Sequence, residues 1–365
     1  MKFVIQRETF LRSLQLVCGV VERRQSLPIL SNLLLKVSPE QLSLTATDLE
    51  IEIVANLPLT GKVEAGEVTV PARKLLDICR SLPDQAPIEF SLQKTRATLR
   101  SGKSRFTLST LSASEYPNID SISGLVTFTI SQKELKRAID STQFAMAHQD
   151  VRYYLNGLMI ELSQHTLRAV ATDGHRLACC ELTLAADLGE ARQAIIPRKA
   201  VLEIARLLTD SDQTIEVQLG ANHVQLVTSE MVLTSKLVDG RFPDYQNVLP
   251  KGGDKHVEAD RQVLRQALSR ASLLSNEKYR SIRLHLTPDT LQLHAHNPEQ
   301  EEAEEEIAVG YKGPELEVGF NANYLLDALA AIPEDKVQLI LSDASSSCLI
   351  QAREDCKYVI MPMRL

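Results

Sequence analysis

Hydrophobic and polar positions along this chain form a pattern that comes round three times. The run Leu42-Ser43-Leu44-Thr45-Ala46 alternates with period two and leads into Thr47-Asp48. Leu167-Arg168-Ala169-Val170-Ala171 leads into Thr172-Asp173, 125 residues further on. Leu291-Gln292-Leu293-His294-Ala295 leads into His296-Asn297, another 124 on. Each run predicts a half-buried strand entering a turn. A second landmark is a strand that ends in a helix. Val68-Thr69-Val70-Pro71-Ala72-Arg73-Lys74 runs into Leu75, Leu76, Cys79 and Leu82 at helical spacing. Ala194-Ile195-Ile196-Pro197-Arg198-Lys199 and Val318-Gly319-Phe320-Asn321 do the same. Pro in the first helical turn costs no hydrogen bond, and Asn is a favourable N-cap. A third landmark, a strand followed by an amphipathic helix, opens each unit at Phe3, Phe128 and Val257.

Self-similarity at a fixed period marks a repeat architecture. The chain therefore reads as three copies of one α+β unit, 1–125, 126–250 and 251–365, each with two helices and many strands. So few helices exclude a doubly wound parallel sheet. The expected linkers are Asp120-Ser121-Ile122-Ser123-Gly124 and Pro250-Lys251-Gly252-Gly253-Asp254.

Composition changes this picture little. A hydrophobic fraction of 44% over 365 residues suffices for several cores. No apolar run approaches the roughly 18 residues of a membrane span. The start, Met1-Lys2-Phe3-Val4-Ile5-Gln6-Arg7, lacks the features of a signal peptide, so a cytoplasmic protein is expected. Cys18, Cys79, Cys179, Cys180, Cys348 and Cys356 make no CxxC. They read as small buried hydrophobes in a reducing compartment, with Cys179 and Cys180 on opposite faces of a strand.

Charge changes it more. A net charge of −7 argues against nucleic-acid binding if spread evenly, but it is sorted: +2, −3 and −6 over the three copies. The first copy carries Lys94, Arg96, Arg100, Lys103 and Arg105; the third carries Glu299, Glu301, Glu302, Glu304, Glu305 and Glu306. A solvated acidic face and a head-to-tail interface between copies both remain open here. In the second case Phe106 and Leu108 on one side, with Leu273 and Leu274 on the other, are candidates for the buried centre.

Three local constellations invite chemistry. His148-Gln149-Asp150-Val151-Arg152-Tyr153-Tyr154 is polar, basic and aromatic, which suits either a surface loop or contact with bases and phosphates. Thr172-Asp173-Gly174-His175-Arg176-Leu177 places Asp and His two apart with Gly between, a pairing that suggests acid–base chemistry, but no partnered nucleophile is evident. His294 and His296 share one face of a strand without a convincing third metal ligand. On residues alone, an open protein-gathering scaffold and a hydrolase using Asp173 and His175 also stay open.

Longer segments carry a resemblance. They are Leu27-Pro28-Ile29-Leu30, Val70 to Lys74, Met146 to Gly157, Ala171 to Leu177, Ser235 to Tyr245, Leu274-Ser275-Asn276-Glu277-Lys278, Asn297 to Glu305, and Met361-Pro362-Met363-Arg364-Leu365. From the first residue to the last, the chain resembles the β subunit of bacterial DNA polymerase III, the DNA sliding clamp.

The resemblance implies a non-catalytic protein with no cofactor and no bound metal. It implies a DNA clamp fold in which two chains join head to tail. Their six domains then close a ring around duplex DNA, with helices lining the hole. Expected partners are a second copy, DNA of any sequence, the catalytic subunit of the replicative polymerase and an ATP-driven clamp loader complex. Other polymerases and repair proteins carrying short motifs with a Gln and hydrophobic anchors are expected too.

By the same resemblance, DNA contacts fall on Arg24, Arg73, His148, Gln149, Arg152, Tyr153, Tyr154, Arg198 and Lys199. A partner-peptide pocket has a deeper part at Leu155, Thr172, Gly174, His175, Arg176, Leu177, Pro243, Val248, Val359 and Met361. Its adjoining groove lies at Asn321, Tyr324, Ser347, Met363 and Arg364. Met in such linings suits promiscuous binding. Asn247 stands where many members carry Arg, so a less basic rim is expected. The candidate interface set is Lys74, Arg96, Lys103, Arg105, Phe106 and Leu108 against Leu273, Leu274, Glu299, Glu301, Glu302, Glu304 and Glu305.

Overall fold

The threefold pattern becomes three runs of strand, helix, four strands, helix and three strands. The structure is a computed structural model and describes residues 1–22, 27–119 and 126–364. The first run holds β1 (Lys2–Gln6), α1 (Arg7–Val17), β2 (Asn32–Val37), β3 (Gln41–Thr47), β4 (Ile51–Pro58), β5 (Gly66–Pro71), α2 (Ala72–Ser81), β6 (Pro87–Gln93), β7 (Arg96–Ser101) and β8 (Ser104–Ser109). The second holds β9 (Val126–Ser131), α3 (Gln132–Asp140), β10 (Gly157–Ser163), β11 (Thr166–Thr172), β12 (Arg176–Thr183), β13 (Arg192–Pro197), α4 (Arg198–Leu207), β14 (Thr214–Leu219), β15 (His223–Val227) and β16 (Met231–Lys236). The third holds β17 (Lys255–Asp260), α5 (Arg261–Ala271), β18 (Ser281–Thr287), β19 (Thr290–His296), β20 (Glu302–Ala308), β21 (Leu316–Asn321), α6 (Ala322–Ala331), β22 (Lys336–Leu341), β23 (Cys348–Arg353) and β24 (Cys356–Ile360).

The strand-to-helix junctions follow local chemistry. Asp260 caps α5 by accepting from the Val263 N–H at 2.8 Å, and Asn321 caps α6 from the Asn323 N–H at 2.9 Å. Pro71 and Pro197 do not sit in the first helical turn, as the spacing suggested. Each closes its strand one residue before the helix. Proline suits that place, since its fixed φ is compatible with extended backbone and α2 and α4 then begin with an intact N–H.

Two four-stranded sheets run β1-β6-β7-β8 and β20-β19-β18-β21, and two eight-stranded sheets run β5-β2-β3-β4-β16-β15-β14-β9 and β13-β10-β11-β12-β24-β23-β22-β17. The eight-stranded sheets are joints between repeats. In one, β4 pairs antiparallel with β16, Ile53 opposite Leu233. In the other, β12 pairs antiparallel with β24, Leu177 opposite Val359. Among the described residues, the equivalent strands with no such partner are β8 and β20, each at the edge of its sheet.

Contacts divide the chain into two compact units. One comprises Met1–Gln132 with Arg206–Leu237, the other Lys133–Ala205 with Val238–Leu365. In the first, Phe3, Phe10 and Phe90 are fully buried, with Phe3 stacked on Phe90 at 4.9 Å between ring centroids. Tyr116 is buried over Ile29 and Leu30, and its hydroxyl accepts from the Thr47 N–H at 3.2 Å. In the second, α5 buries Leu264, Ala267, Leu268 and Ala271 and packs on β19 and β20. All six cysteines are free and buried, as composition suggested. No helix among the described residues is long and apolar enough to cross a membrane. The expected linker at 120–124 lies outside the described residues; Pro250–Asp254 is irregular and leads into β17.

Phe90→Ala should destabilise the first unit by about 3–5 kcal/mol, the usual cost of emptying a buried aromatic site. Val4→Ala, at the 44% exposed Val4 on β1, should cost little. Parallel denaturant titrations check the contrast.

Candidate functional site

The β12–β24 joint carries an apolar cluster in the second unit. Leu155, Leu177 and Val359 are buried in it and Val248 packs on it from the side. Sequence reasoning did not assign Met159, Phe242, Tyr245 and Leu349 to it, and Ala147, Val170, Cys179 and Ile195 complete it. The signal was there for Tyr245, which stands at the end of the Ser235–Tyr245 segment. Its hydroxyl donates to the Glu161 carboxylate at 3.0 Å. Burial pushes Glu161 up, but hydrogen bonds from Gln193, Arg168 and Tyr245 outweigh it and hold the carboxyl below its ordinary range. A charged group so satisfied fixes the floor of the cluster without an unpaired buried charge.

The turn before β12 sits at the edge of this cluster. Asp173 Oδ1 accepts from the backbone N–H groups of His175 at 2.9 Å and Arg176 at 3.0 Å. Thr172 Oγ1 donates to the Arg176 carbonyl at 2.6 Å and accepts from the Gly174 N–H at 3.1 Å. Gly174 has φ +90°, and a Cβ there would lie 3.0 Å from the Arg152 guanidinium. The positive φ favours glycine, and a side chain there would also press on the Arg152 guanidinium. The His175 carbonyl accepts from the Met361 N–H at 2.9 Å, and the Gly319 carbonyl from the Met363 N–H at 2.8 Å. These two bonds pin the tail beside Leu177 and β21. The His175 ring lies parallel to that of Tyr324 at 6.3 Å. Asn321 and Ser347 are half-buried, while Pro243 and Arg364 are exposed. Asn247 donates to the Asp244 carboxylate at 2.8 Å, which closes its own short turn.

Arg176 is more structural than its sequence context suggested. Its guanidinium lies 4.6 Å from the Tyr324 ring centroid and 5.3 Å from that of Phe144. It donates to Asp173 Oδ2 at 3.1 Å, to the Phe144 carbonyl at 2.8 Å and to the Asp327 carboxylate. With 11% of its side chain exposed, it clamps β12 to α6. Both Asp173 oxygens are occupied by the turn and by Arg176. The acid–base reading of Asp173 and His175 therefore lacks a free carboxylate.

The loop at 148–154 is tied to the same turn. Arg152 donates through Nε and Nη2 to the two Asp150 oxygens at 3.0 and 2.9 Å, and through Nη2 to the Asp173 carbonyl at 3.1 Å. These bonds push the Asp150 carboxyl down to about 2. Asn156 closes the loop with reciprocal bonds to the Asp150 backbone at 2.9 and 2.8 Å. His148, Gln149, Val151 and Tyr153 are left exposed, with Tyr154 edge-to-face on Tyr153 at 5.8 Å. Arg198 Nη1 donates to the Met146 carbonyl at 3.2 Å, and Lys199 beside it is half-buried. In the other unit, exposed Arg73 donates to the Val21 carbonyl at 2.7 Å. Arg24 lies outside the described residues.

The basic run spans the β6–β7 turn, β7, the β7–β8 turn and β8, and the acidic run falls on β20 and the turn before it. Lys74, Arg96, Lys103 and Arg105 are exposed and Phe106 is half-buried, but Leu108, 7% exposed, already packs inside its own chain. Leu273 is 77% exposed and Leu274 half-buried. Glu305 points inward to Arg270, paired through both oxygens at 2.7 and 2.6 Å. That pairing lowers its carboxyl, so its charge is spent locally. Glu301 accepts from Asn297 at 2.6 Å, and Glu304 lies 3.4 Å from His294. Glu299 and Glu302 are exposed. Among the described residues no three His, Cys, Asp or Glu groups converge to hold a metal.

Comparison with known proteins decides the family. Residues 1–120, 129–244 and 246–364 match, in turn, the N-terminal, central and C-terminal domain models of the DNA polymerase III beta subunit. The beta sliding clamps of Pseudomonas putida and Escherichia coli K12 are 55% and 50% identical, over 100% of each chain. A crystal structure of the Pseudomonas aeruginosa beta subunit superposes with a TM-score of 0.98 at 54% identity, covering 100% of both chains.

The chain belongs to the β sliding clamp family. It has the three-domain clamp fold, α+β with antiparallel sheets, and is a processivity factor of DNA polymerase III. It is a non-catalytic polymerase subunit, in keeping with the engaged state of Asp173. Its partners are those of bacterial DNA polymerase III.

Asp150 offers a pH test of the loop. An Asp held below its ordinary value near 3.8 contributes stability above that value and loses it as pH falls towards about 2. The Asp150 carboxyl should titrate near 2 in the folded protein. Arg152→Ala should raise it towards the ordinary range, since only the Arg152 backbone N–H bond remains, and carboxyl NMR resolves the two midpoints.

Proposed function

We propose that two copies close head to tail around duplex DNA, each joining its β20 edge to the β8 edge of the other. One observation carries this reading. Within the chain, the last strand of one half-repeat twice pairs antiparallel with the last strand of the following repeat, at β4–β16 and β12–β24. Applied once more, the same rule leads from β20 to a β8 that only another copy can supply. An exposed edge strand is a template for such pairing. The two sides are complementary in charge, with Arg105 on β8, Lys103 in the turn before it and Arg96 on the neighbouring β7 facing Glu301, Glu302 and Glu304 at β20. Phe106 and the exposed Leu273 supply apolar area, with Leu274, Lys74 and Glu299 at the margins. Leu108 and Glu305 support the edges from within their own chain. Contacts of this heterologous kind close into a ring when the rotation permits.

DNA contact is assigned to Arg73 in one unit, with Arg24 outside the described residues, and to His148, Gln149, Arg152, Tyr153, Tyr154, Arg198 and Lys199 in the other. Phosphate contacts carry no sequence information and weaken with salt, which suits a protein that must slide. Arg152 acts there chiefly by holding Tyr153 and the loop in place. The apolar cluster at Leu155, Leu177, Val248 and Val359 takes the hydrophobic anchors of a partner peptide. Thr172, Gly174, His175, Arg176, Pro243 and Met361 line the deeper part with it, and Asn321, Tyr324, Ser347, Met363 and Arg364 line the adjoining groove. The replicative polymerase, the clamp loader and repair proteins dock there in turn, in the cytoplasm. A Pseudomonas aeruginosa clamp, 55% identical, has been solved bound to griselimycin, which supports a ligand-accepting surface on this fold.

The ring makes retention topological. Loaded protein should stay on nicked circular DNA and be lost when that DNA is linearised. Reversing charge at Glu301, Glu302 and Glu304 should yield monomers in sedimentation and abolish retention. Equal retention on both DNA forms refutes the ring, and a fully dimeric, salt-insensitive variant refutes the interface.

Removal of residues 361–365 takes away the two backbone bonds made by Met361 and Met363. Binding of a polymerase-tail peptide should weaken by roughly 2–4 kcal/mol, the scale of an interface hot spot, with the dimer intact. Unchanged peptide affinity by calorimetry refutes the pocket.

A further inference from the structure

We infer that Cys180 and Cys356 form a peroxide-responsive dithiol whose oxidation staples β12 to β24. The two residues are directly opposite in the antiparallel register. The next pair along, Glu181 and Asp355, is bonded through the Glu181 N–H and the Asp355 carbonyl at 2.7 Å. Hydrogen-bonded and non-hydrogen-bonded pairs alternate, so Cys180 and Cys356 occupy a non-hydrogen-bonded pair. Opposite Cα atoms there are about 4.5 Å apart, with both side chains on one face. That lies at the short end of the roughly 4.4–6.8 Å a disulfide spans. A bond made there is strained, and strained disulfides are the readily reduced ones. Cys356 opens β24 directly after the turn at Glu354 and Asp355, so the backbone has room to adjust.

The surroundings favour reaction at Cys356. Arg137 Nη1 lies 4.0 Å from the Cys180 sulfur and 3.9 Å from that of Cys356, and it is anchored to Asp355 at 2.8 Å. A guanidinium so placed stabilises a thiolate. The Cys180 thiol hydrogen-bonds to Cys356 and holds it below the ordinary thiol range. Burial instead pushes Cys18, Cys79, Cys179 and Cys348 up to about 12. Cys356 also lines a cavity of about 30 Å³ with Arg137, Ser141 and Tyr358. Such a space admits a molecule the size of water, and hydrogen peroxide is little larger.

The chemistry balances with peroxide alone. The Cys356 thiolate attacks one peroxide oxygen; an S–O bond forms and the O–O bond breaks. The departing hydroxide takes the proton that Cys356 gave up and leaves as water. The Cys180 sulfur then attacks the Cys356 sulfenic acid; the S–S bond forms and the S–O bond breaks. Its hydroxide leaves with the Cys180 proton as a second water. The sulfurs lose two electrons and the peroxide gains them. The staple lies on the two strands that carry Leu177 and Val359, and it does not depend on ring closure.

The test uses full-length protein carrying Cys179→Ser, so that the cross-linked peptide is unambiguous. Folded protein is treated with hydrogen peroxide, quenched, alkylated in denaturant and mapped by mass spectrometry. The expected result is a peptide joining positions 180 and 356, reversed by dithiothreitol and absent from Cys180→Ser and Cys356→Ser. Arg137→Leu should form it more slowly. The inference is overturned if both thiols stay fully alkylatable, if the link involves another cysteine, or if Cys356 goes to sulfinic acid without a link. A cross-link that appears only after unfolding overturns it as well.

Discussion

An antiparallel edge strand leaves a row of backbone donors and acceptors that must be paired, covered or exposed to water. The rest of this structure depends on how that requirement is met where one repeat follows another. Pairing β4 with β16, and β12 with β24, turns half-sheets of four strands into continuous sheets of eight. These two joints tie segments far apart in sequence, such as Ile53 to Leu233 and Leu177 to Val359. They also leave β8 and β20 as the strands of the same kind without a partner in the chain, and the proposed ring answers that vacancy with a second copy.

The β12–β24 joint does more than hold sheets together. It brings the Thr172–Arg176 turn beside the Met361–Arg364 tail, and it buries Leu177 and Val359 in one cluster with Leu155. Around it, charged groups work mainly at short range. Arg176 clamps α6, Arg152 holds the 148–154 loop to the turn, and Glu161 anchors Tyr245 from below. Each of these groups is matched within its own surroundings, so the polar framework around the apolar cluster is satisfied without a partner. The same strand pair places Cys180 opposite Cys356 under Arg137, which is where the redox inference arises.

Electrostatics read from the sequence needed the most revision. In the proposed ring, the sorting of charge among the repeats becomes two complementary edges. Within the chain, Glu305 of the acidic run pairs with Arg270, and Leu108 beside the basic run is buried. A strand alternates its faces, so a run of consecutive charges is split between an inward and an outward set. Linear spacing along β20 shows that alternation, but it does not say that Arg270 waits on the inward side.

The sequence by itself determined the elements and their repetition. Period-two and period-3.6 patterns report local burial, and caps such as Asp260 and Asn321 are local as well. The family match could be read from contiguous motifs for the same reason. The tertiary structure alone decided which edges meet, which carboxylates are already occupied and which cysteines face each other. Those outcomes rest on pairing between residues nearly two hundred positions apart, as with Cys180 and Cys356. Such pairing is set by register across a joint, and no pattern within either strand encodes its partner.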